Sequence, residues 1–87
     1  MNDITFSPIA WADYLYWQTH DKKTAQRINA LIKDILREPF DGIGKPEPLK
    51  GTNGRWSRRI DDFNRIIYIV KNENDVSILS CRGHYEN

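Results

Sequence analysis

Residues 65–70 read Arg-Ile-Ile-Tyr-Ile-Val, and this run predicts the centre of a β-sheet. It is apolar at both alternating sets of positions, which is typical of a strand that is covered on both faces and lies centrally in a sheet. Strand-like runs occur on either side of it, at residues 55–60 and 76–81, beyond turn-forming residues. Because short turns most simply join antiparallel neighbours, we predict a mainly antiparallel sheet around residues 65–70.

The amino-terminal part of the chain predicts a short strand at residues 4–6, followed by a helix. Serine at position 7 suits a helix cap, and proline at position 8 suits the first helical position. We therefore expect a helix from Pro8 to about Thr19. An aromatic stripe at helical spacing is expected to face the core: Trp11, Tyr14, Leu15 and either Trp17 or Gln18.

A second helix is predicted to begin after Asp21, whose side chain can cap it, and to end before Pro39. Its apolar residues form one face, and the short connection to the first helix predicts an αα-hairpin. The expected fold class is α+β: one domain, 1–87, in which a short strand and an αα-hairpin pack on one face of a small, twisted, mainly antiparallel β-sheet.

Composition excludes several classes of protein. The chain has a single cysteine, Cys81, which permits no internal disulfide and suits a reducing cytoplasm. No apolar run is long enough to span a membrane, and the amino terminus lacks the pattern of a signal peptide. Histidine and cysteine do not occur at metal-ligand spacing, so we expect no metal site and no cofactor.

Positive charge is concentrated in one part of the chain. Residues 45–71 contain seven basic and three acidic side chains, although the whole chain carries a net charge of only +1. A basic patch on a nearly neutral protein indicates an anionic partner that binds one face. Scattered, solvated charges are the alternative interpretation.

The segment Lys45-Pro46-Glu47-Pro48-Leu49-Lys50 places one carboxylate between two prolines. Proline fixes its own φ and biases the preceding residue toward extended backbone, so Glu47 lies on a stiff part of the chain. A general base must meet a reacting proton at a fixed distance, and a stiff backbone serves that role. Glu47 is therefore a candidate base.

Groups suited to acid–base chemistry on a phosphate occur in two further places. RNA cleavage without a metal needs a base for the 2′-hydroxyl, cations for the charged transition state and an acid for the leaving 5′-oxygen. Arginine binds phosphate oxygens in a bidentate manner, and histidine is a common acid near neutral pH. The candidates are the arginines Arg58, Arg59 and Arg65 and the terminal Arg82-Gly83-His84-Tyr85.

Each candidate also has an ordinary structural interpretation. Glu47 can be a solvated loop residue, and His84 can be a residue of a frayed tail. Since neighbours on a strand point to opposite faces, at most one of Arg58 and Arg59 belongs to such a site, and the other covers aromatic surface or binds a partner. A half-buried Arg65 needs a counter-ion, for which Asp61 and Asp62 are the nearest carboxylates in sequence.

Taken together, these residues resemble the YoeB/Txe toxins of bacterial toxin–antitoxin systems, within the RelE superfamily. The resemblance extends over nearly the whole chain, and its blocks are specific because of their order and spacing. These blocks are residues 11–17 (WADYLYW), 28–34 (INALIKD), 39–50 (PFDGIGKPEPLK), 56–60 (WSRRI), 65–68 (RIIY) and 81–85 (CRGHY).

The resemblance implies a ribosome-dependent endoribonuclease that cuts mRNA in the ribosomal A site and leaves a 2′,3′-cyclic phosphate, or the 3′-phosphate from its opening, and a 5′-hydroxyl. The family's catalytic glutamate, arginine and histidine fall on Glu47, Arg65 and His84. The implied substrate-binding residues are Lys50, Arg59 and Tyr85.

The implied partners are the ribosome with its mRNA and a cognate antitoxin of the YefM/Axe type, with DNA contacted only through the antitoxin complex. A homodimer is also implied, and a membrane is not. Two other functions remain open: a catalytically silent relative that acts with its antitoxin as a DNA-binding autorepressor, and an inhibitor that occupies the A site without cutting.

Overall fold

The computed structural model describes residues 3–72 and 74–83, and over these residues it contains two helices and five strands. The sheet has the order β1-β5-β4-β3-β2; β1 runs parallel to β5, and the other neighbours are antiparallel. In chain order the elements are β1 (Ile4–Phe6), α1 (Pro8–His20), α2 (Lys22–Arg37), β2 (Glu47–Pro48), β3 (Arg55–Arg59), β4 (Arg65–Lys71) and β5 (Asp75–Ser80).

The central strand predicted from residues 65–70 is β4, which lies between β3 and β5. Its side chains alternate between the two faces of the sheet. Ile66 and Tyr68 are fully buried on the face that carries both helices, where they join the apolar side of α2. Ile67 and Ile69 lie on the opposite face. The predicted fold class is confirmed, with both helices on one face of a mostly antiparallel sheet.

Both helices begin and end where the sequence predicts. Ser7 Oγ accepts a hydrogen bond from the amide of Ala10, and Asp21 Oδ1 accepts one from Thr24. Each bond satisfies an amide that has no partner within its own helix. Glu38 adopts extended backbone at the end of α2, as expected before Pro39.

The core-facing side of α1 agrees with the prediction at Tyr14 and Trp17 and differs from it at Trp11 and Leu15. Trp11 and Leu15 are 49% and 46% exposed, whereas Ala10 is fully buried. Tyr14 and Trp17 pack against the core, so the buried row runs through positions 10, 14 and 17. A small alanine lets the helix approach β5 closely, and this rotates Trp11 and Leu15 toward the surface.

The single cysteine of the chain lies in the core. Cys81 is buried, and burial raises the pKa of its thiol to about 12, so the side chain is a neutral thiol at physiological pH. Among residues 3–72 and 74–83, no helix has the length and apolar character needed to cross a membrane.

Candidate functional site

The register of three strands aligns the candidate residues on one face of the sheet. Glu47 of β2 pairs with Ser57 of β3, and Arg59 of β3 pairs with Arg65 of β4. Ser57 and Arg59 are two positions apart on one strand, so all four residues lie on the same face. This is the face opposite the helices. We call it the helix-free face and define it by Glu47, Ser57, Arg59 and Arg65.

Glu47 lies on a short strand whose backbone is held at both ends. The amide of Leu49 donates to the carbonyl of Arg55, which continues the pairing with β3. Before the strand, Lys45 departs from the extended backbone expected ahead of a proline, because its φ of 54° is in the left-handed region. Its ammonium lies 3.9 Å from Glu47 Oε1, and the Glu47 side chain is 44% exposed.

The Arg65 side chain contacts a serine on the neighbouring strand. Its Nη1 donates to Ser57 Oγ at 3.3 Å. The Asp61 carboxylate instead accepts hydrogen bonds from the backbone amides of Phe63 and Asn64 and from the Asn64 side chain, which fixes the β3–β4 turn. Of the two alternatives, Asp61 and Asp62, Asp61 is therefore engaged within its own turn. The half-buried Arg65 keeps its positive charge on the helix-free face.

The two basic residues assigned to substrate binding are both exposed. Arg59 ends β3 beside Arg65, and its amide donates to the carbonyl of Gly44 at 2.6 Å. Lys50 lies in the turn that follows β2. Arg55, at the other end of β3, occupies the same face as Arg59 and is also exposed. The helix-free face is therefore bordered by cations.

His84 and Tyr85 lie outside the described residues, but the chain can be followed to Gly83. The Gly83 amide donates to Asn64 Oδ1 at 2.8 Å, and its carbonyl accepts from the amide of Arg65 at 3.0 Å. These bonds bring the residue that precedes His84 to the beginning of β4. The sequence did not predict this contact, because it joins residues that are 19 positions apart in the chain.

The same terminal segment is fixed to α1 by three side chains of that helix. Trp17 Nε1 donates to the carbonyl of Cys81 at 2.8 Å, and Asp13 Oδ2 accepts from the Cys81 amide at 3.0 Å. The Arg82 guanidinium lies 3.6 Å from the centre of the Tyr16 ring, a cation–π contact. Helix α1 therefore holds Cys81 and Arg82 in place.

Comparison with known proteins places this arrangement in a family. Residues 6–85 match the model of the YoeB-like toxins of bacterial type II toxin–antitoxin systems. The chain belongs to the YoeB toxin family. A toxin YoeB of Synechocystis sp. is 54% identical over 84 residues, which cover 95% of this chain and 96% of the relative.

Two solved structures from Staphylococcus aureus agree with the family assignment. A YoeB dimer matches with a TM-score of 0.88 and 48% identity, over 95% of this chain and 97% of the other. A heterotetrameric YoeB–YefM toxin–antitoxin complex contains a chain that matches with a TM-score of 0.87 and 47% identity, over 98% and 99%. The fold of this YoeB-family chain is therefore that of its relatives.

In this YoeB-family chain, Arg58 does not belong to the helix-free face. It is fully buried on the helix side, so its inclusion among the arginines near a phosphate is wrong. Its partners are all within the protein: Tyr68 Oη for Nε, Asp34 Oδ2 and the Ile43 carbonyl for Nη1, and the carbonyls of Glu38 and Asp41 for Nη2. A guanidinium has five N–H donors, and these five bonds use all of them.

Proposed function

We propose that this YoeB-family chain is the toxin of a type II toxin–antitoxin system and a ribosome-dependent endoribonuclease that cuts mRNA in the A site. The observation that carries this proposal is the register that puts Glu47 and Arg65 on one face, with Ser57 between them. Their backbone positions are two strands and two residues apart, or about 12 Å. Both side chains are long enough to approach one phosphodiester from opposite sides.

The proposed mechanism assigns one role to each group. Glu47 takes the proton from the 2′-hydroxyl, and Arg65 stabilises the negative charge that develops on the phosphate. His84 protonates the leaving 5′-oxygen, and the bonds of Gly83 to Asn64 and Arg65 support this assignment because they bring the chain close to Arg65. Lys50, Arg59 and Tyr85 bind the RNA.

The proposed partners follow from the relatives and from the charge of the helix-free face. Since S. aureus YoeB forms a complex with YefM, we expect a YefM-like antitoxin here, with an acidic segment that competes for the basic face. A homodimer is proposed from the S. aureus dimer. Ribosome and mRNA place the activity in the cytoplasm, and DNA is contacted only through the antitoxin complex.

The proposal is tested by mapping 5′ ends on a defined mRNA in programmed ribosomes. Wild-type protein should create new ends in the A-site codon, and Glu47→Gln, Arg65→Ala or His84→Gln should each slow cleavage by about 100-fold or more. Asp3→Asn is the matched control, since it makes the same carboxylate-to-amide change before β1 and should cut at the wild-type rate.

Three outcomes would contradict the proposal, and each points to a different cause. Undiminished cleavage by the triple variant Glu47→Gln, Arg65→Ala, His84→Gln would refute the catalytic assignment. Growth arrest with intact transcripts would indicate a protein that blocks the A site. Normal growth during expression without antitoxin would favour the silent autorepressor.

A further inference from the structure

The loop of residues 38–44 connects α2 to the segment that carries Glu47, and a buried charge organises it. Three of the five hydrogen bonds donated by Arg58 go to backbone carbonyls of this loop, at Glu38, Asp41 and Ile43. Their distances are 2.6 Å, 3.2 Å and 3.0 Å, respectively. Because the guanidinium is planar and rigid, it fixes these carbonyls relative to one another.

Two further side chains complete the network around the loop. Tyr68 Oη accepts from Arg58 Nε and donates to the carbonyl of Pro39 at 2.6 Å. Asp34 Oδ2 pairs with Arg58 Nη1 and accepts from the amide of Ile43 at 2.9 Å. The buried arginine network, defined as Asp34, Arg58 and Tyr68, therefore binds the loop through both its donors and its acceptors.

The end of the loop leads directly to the candidate site. The Gly44 carbonyl accepts from the amide of Arg59 on the helix-free face. Gly44 has a φ of 79°, and a Cβ there would lie 2.7 Å from Leu31 Cδ2 and 3.1 Å from the Arg59 carbonyl, so only glycine fits between helix and sheet. Just two residues, Lys45 and Pro46, separate Gly44 from Glu47.

We propose that the buried arginine network of Asp34, Arg58 and Tyr68 positions Glu47 for proton abstraction by fixing the loop that precedes it. The inference rests on the proposed function for the role of Glu47. The three side chains are positioning residues, since they lie on the helix side of the sheet and act through the backbone of residues 38–44. A base that is already held in position raises the cleavage rate, because no further conformational entropy is lost when it approaches the proton.

Tyr68→Phe tests this inference with the smallest change in shape, because it removes both hydrogen bonds of the hydroxyl. We expect the single-turnover cleavage rate on programmed ribosomes to fall about tenfold, with the dissociation constant for ribosomes within about twofold of wild type. In a Glu47→Gln background the same change should alter the rate by less than about twofold. Tyr68→Phe acts by displacing the carboxylate of Glu47, and the Glu47→Gln variant already lacks that carboxylate.

Tyr14→Phe is the matched control. The Tyr14 hydroxyl donates to Asn29 Oδ1 at 2.7 Å, so this variant also loses one tyrosine hydrogen bond, but between α1 and α2. It should leave the cleavage rate unchanged. Equal, multiplicative losses from Tyr68→Phe in the wild-type and Glu47→Gln backgrounds would overturn the inference.

Hydrogen exchange gives a second measurement that does not depend on activity. The Arg59 amide, which donates to Gly44, should exchange about tenfold faster in Tyr68→Phe than in wild type or Tyr14→Phe. Unchanged exchange would overturn the inference even if cleavage fell. Absence of cleavage by the wild type, or full cleavage by Glu47→Gln, would instead refute the proposed function, while exchange still reports on the loop.

A pair of glycine variants replaces Tyr68→Phe if that variant does not fold. Gly44 and Gly54 have nearly equal φ values of 79° and 82°, so alanine strains the backbone equally at both. Nothing lies within 4 Å of a Cβ at Gly54, whereas a Cβ at Gly44 meets Leu31 and Arg59. Gly44→Ala should lose cleavage and Gly54→Ala should not; equal effects would contradict the inference.

Discussion

Ser57 illustrates how a single hydroxyl connects the two proposed catalytic groups. It is fully buried, pairs with Glu47 across β2 and β3, and accepts a hydrogen bond from Arg65. Ser57→Ala should slow cleavage about fivefold, which corresponds to about 1 kcal/mol for one hydrogen bond, because Arg65 loses the contact that holds its guanidinium. Single-turnover cleavage of mRNA on ribosomes measures this effect.

A second serine on the same face supplies the control for Ser57→Ala. The Ser77 hydroxyl lies 2.9 Å from that of Thr5, on the two strands at the far edge of the sheet. Ser77→Ala removes one hydroxyl contact there and should leave the cleavage rate unchanged. An equal loss of rate in both variants would show that hydroxyl loss acts through general stability and not through Arg65.

Individual residues also show what the sequence could and could not predict about the site. Strand alternation separates Arg58 from Arg59 and predicts that they serve different faces. It does not predict which of them is buried, because that depends on Asp34 of α2, which is 24 positions earlier in the chain. The catalytic roles of Glu47 and Arg65 stay predictions, and the sequence did not single out the serine that lies between them.

At the scale of elements, the Asp34–Arg58 ion pair joins α2 to β3 and has a consequence for acid stability. The hydrogen bond from Arg58, followed by those from the Ile43 amide and Arg37, lowers the pKa of Asp34 from 3.8 to about 2. A carboxyl with a lowered pKa in the folded state contributes stability that is complete above its unfolded value. This contribution should be lost as the pH falls from about 4 through about 2.

Asp34→Asn tests the ion pair by urea unfolding between pH 7 and pH 2. At neutral pH the variant should be less stable by about 3 kcal/mol, since Arg58 remains buried without its counter-ion. Below pH 4 its free energy of unfolding should fall less steeply than that of wild type. Asp3→Asn, which makes the same carboxylate-to-amide change away from the Asp34–Arg58 pair, should keep the steep fall, and a similar slope for wild type and Asp34→Asn would contradict the prediction.

Elements with local signals were predicted well, and elements defined by distant pairing were not. Helix caps and the apolar run of β4 can be recognised within a few residues of sequence. β2 has only two residues and lies in a segment rich in proline and glycine, so its existence depends on pairing with β3. The docking of residues 81–83 likewise depends on α1 and on Asn64, which are distant in sequence.

For the whole molecule, the division of the sheet into two faces separates stability from binding. The helix side buries Arg58 within a saturated network, while the opposite face carries Arg55, Arg59 and Arg65 at least partly exposed. A cation that faces solvent can release counterions when it binds a phosphate, whereas a buried one cannot. Residues 45–71 contain seven basic side chains, but the buried Arg58 is not available to RNA, so the number of cations that can bind phosphate is smaller than the sequence suggests.

The salt dependence of RNA binding tests this division of charge. Arg59→Gln should reduce the slope of log K against log salt by about 0.7 for a single-stranded oligonucleotide, because one phosphate contact is lost. Lys22→Gln changes the net charge by the same amount at the start of α2 and should leave the slope at the wild-type value. Titrations from low to moderate salt measure both slopes. Equal slopes for the two variants would mean that RNA responds to net charge alone, and the helix-free face would then not be its binding surface.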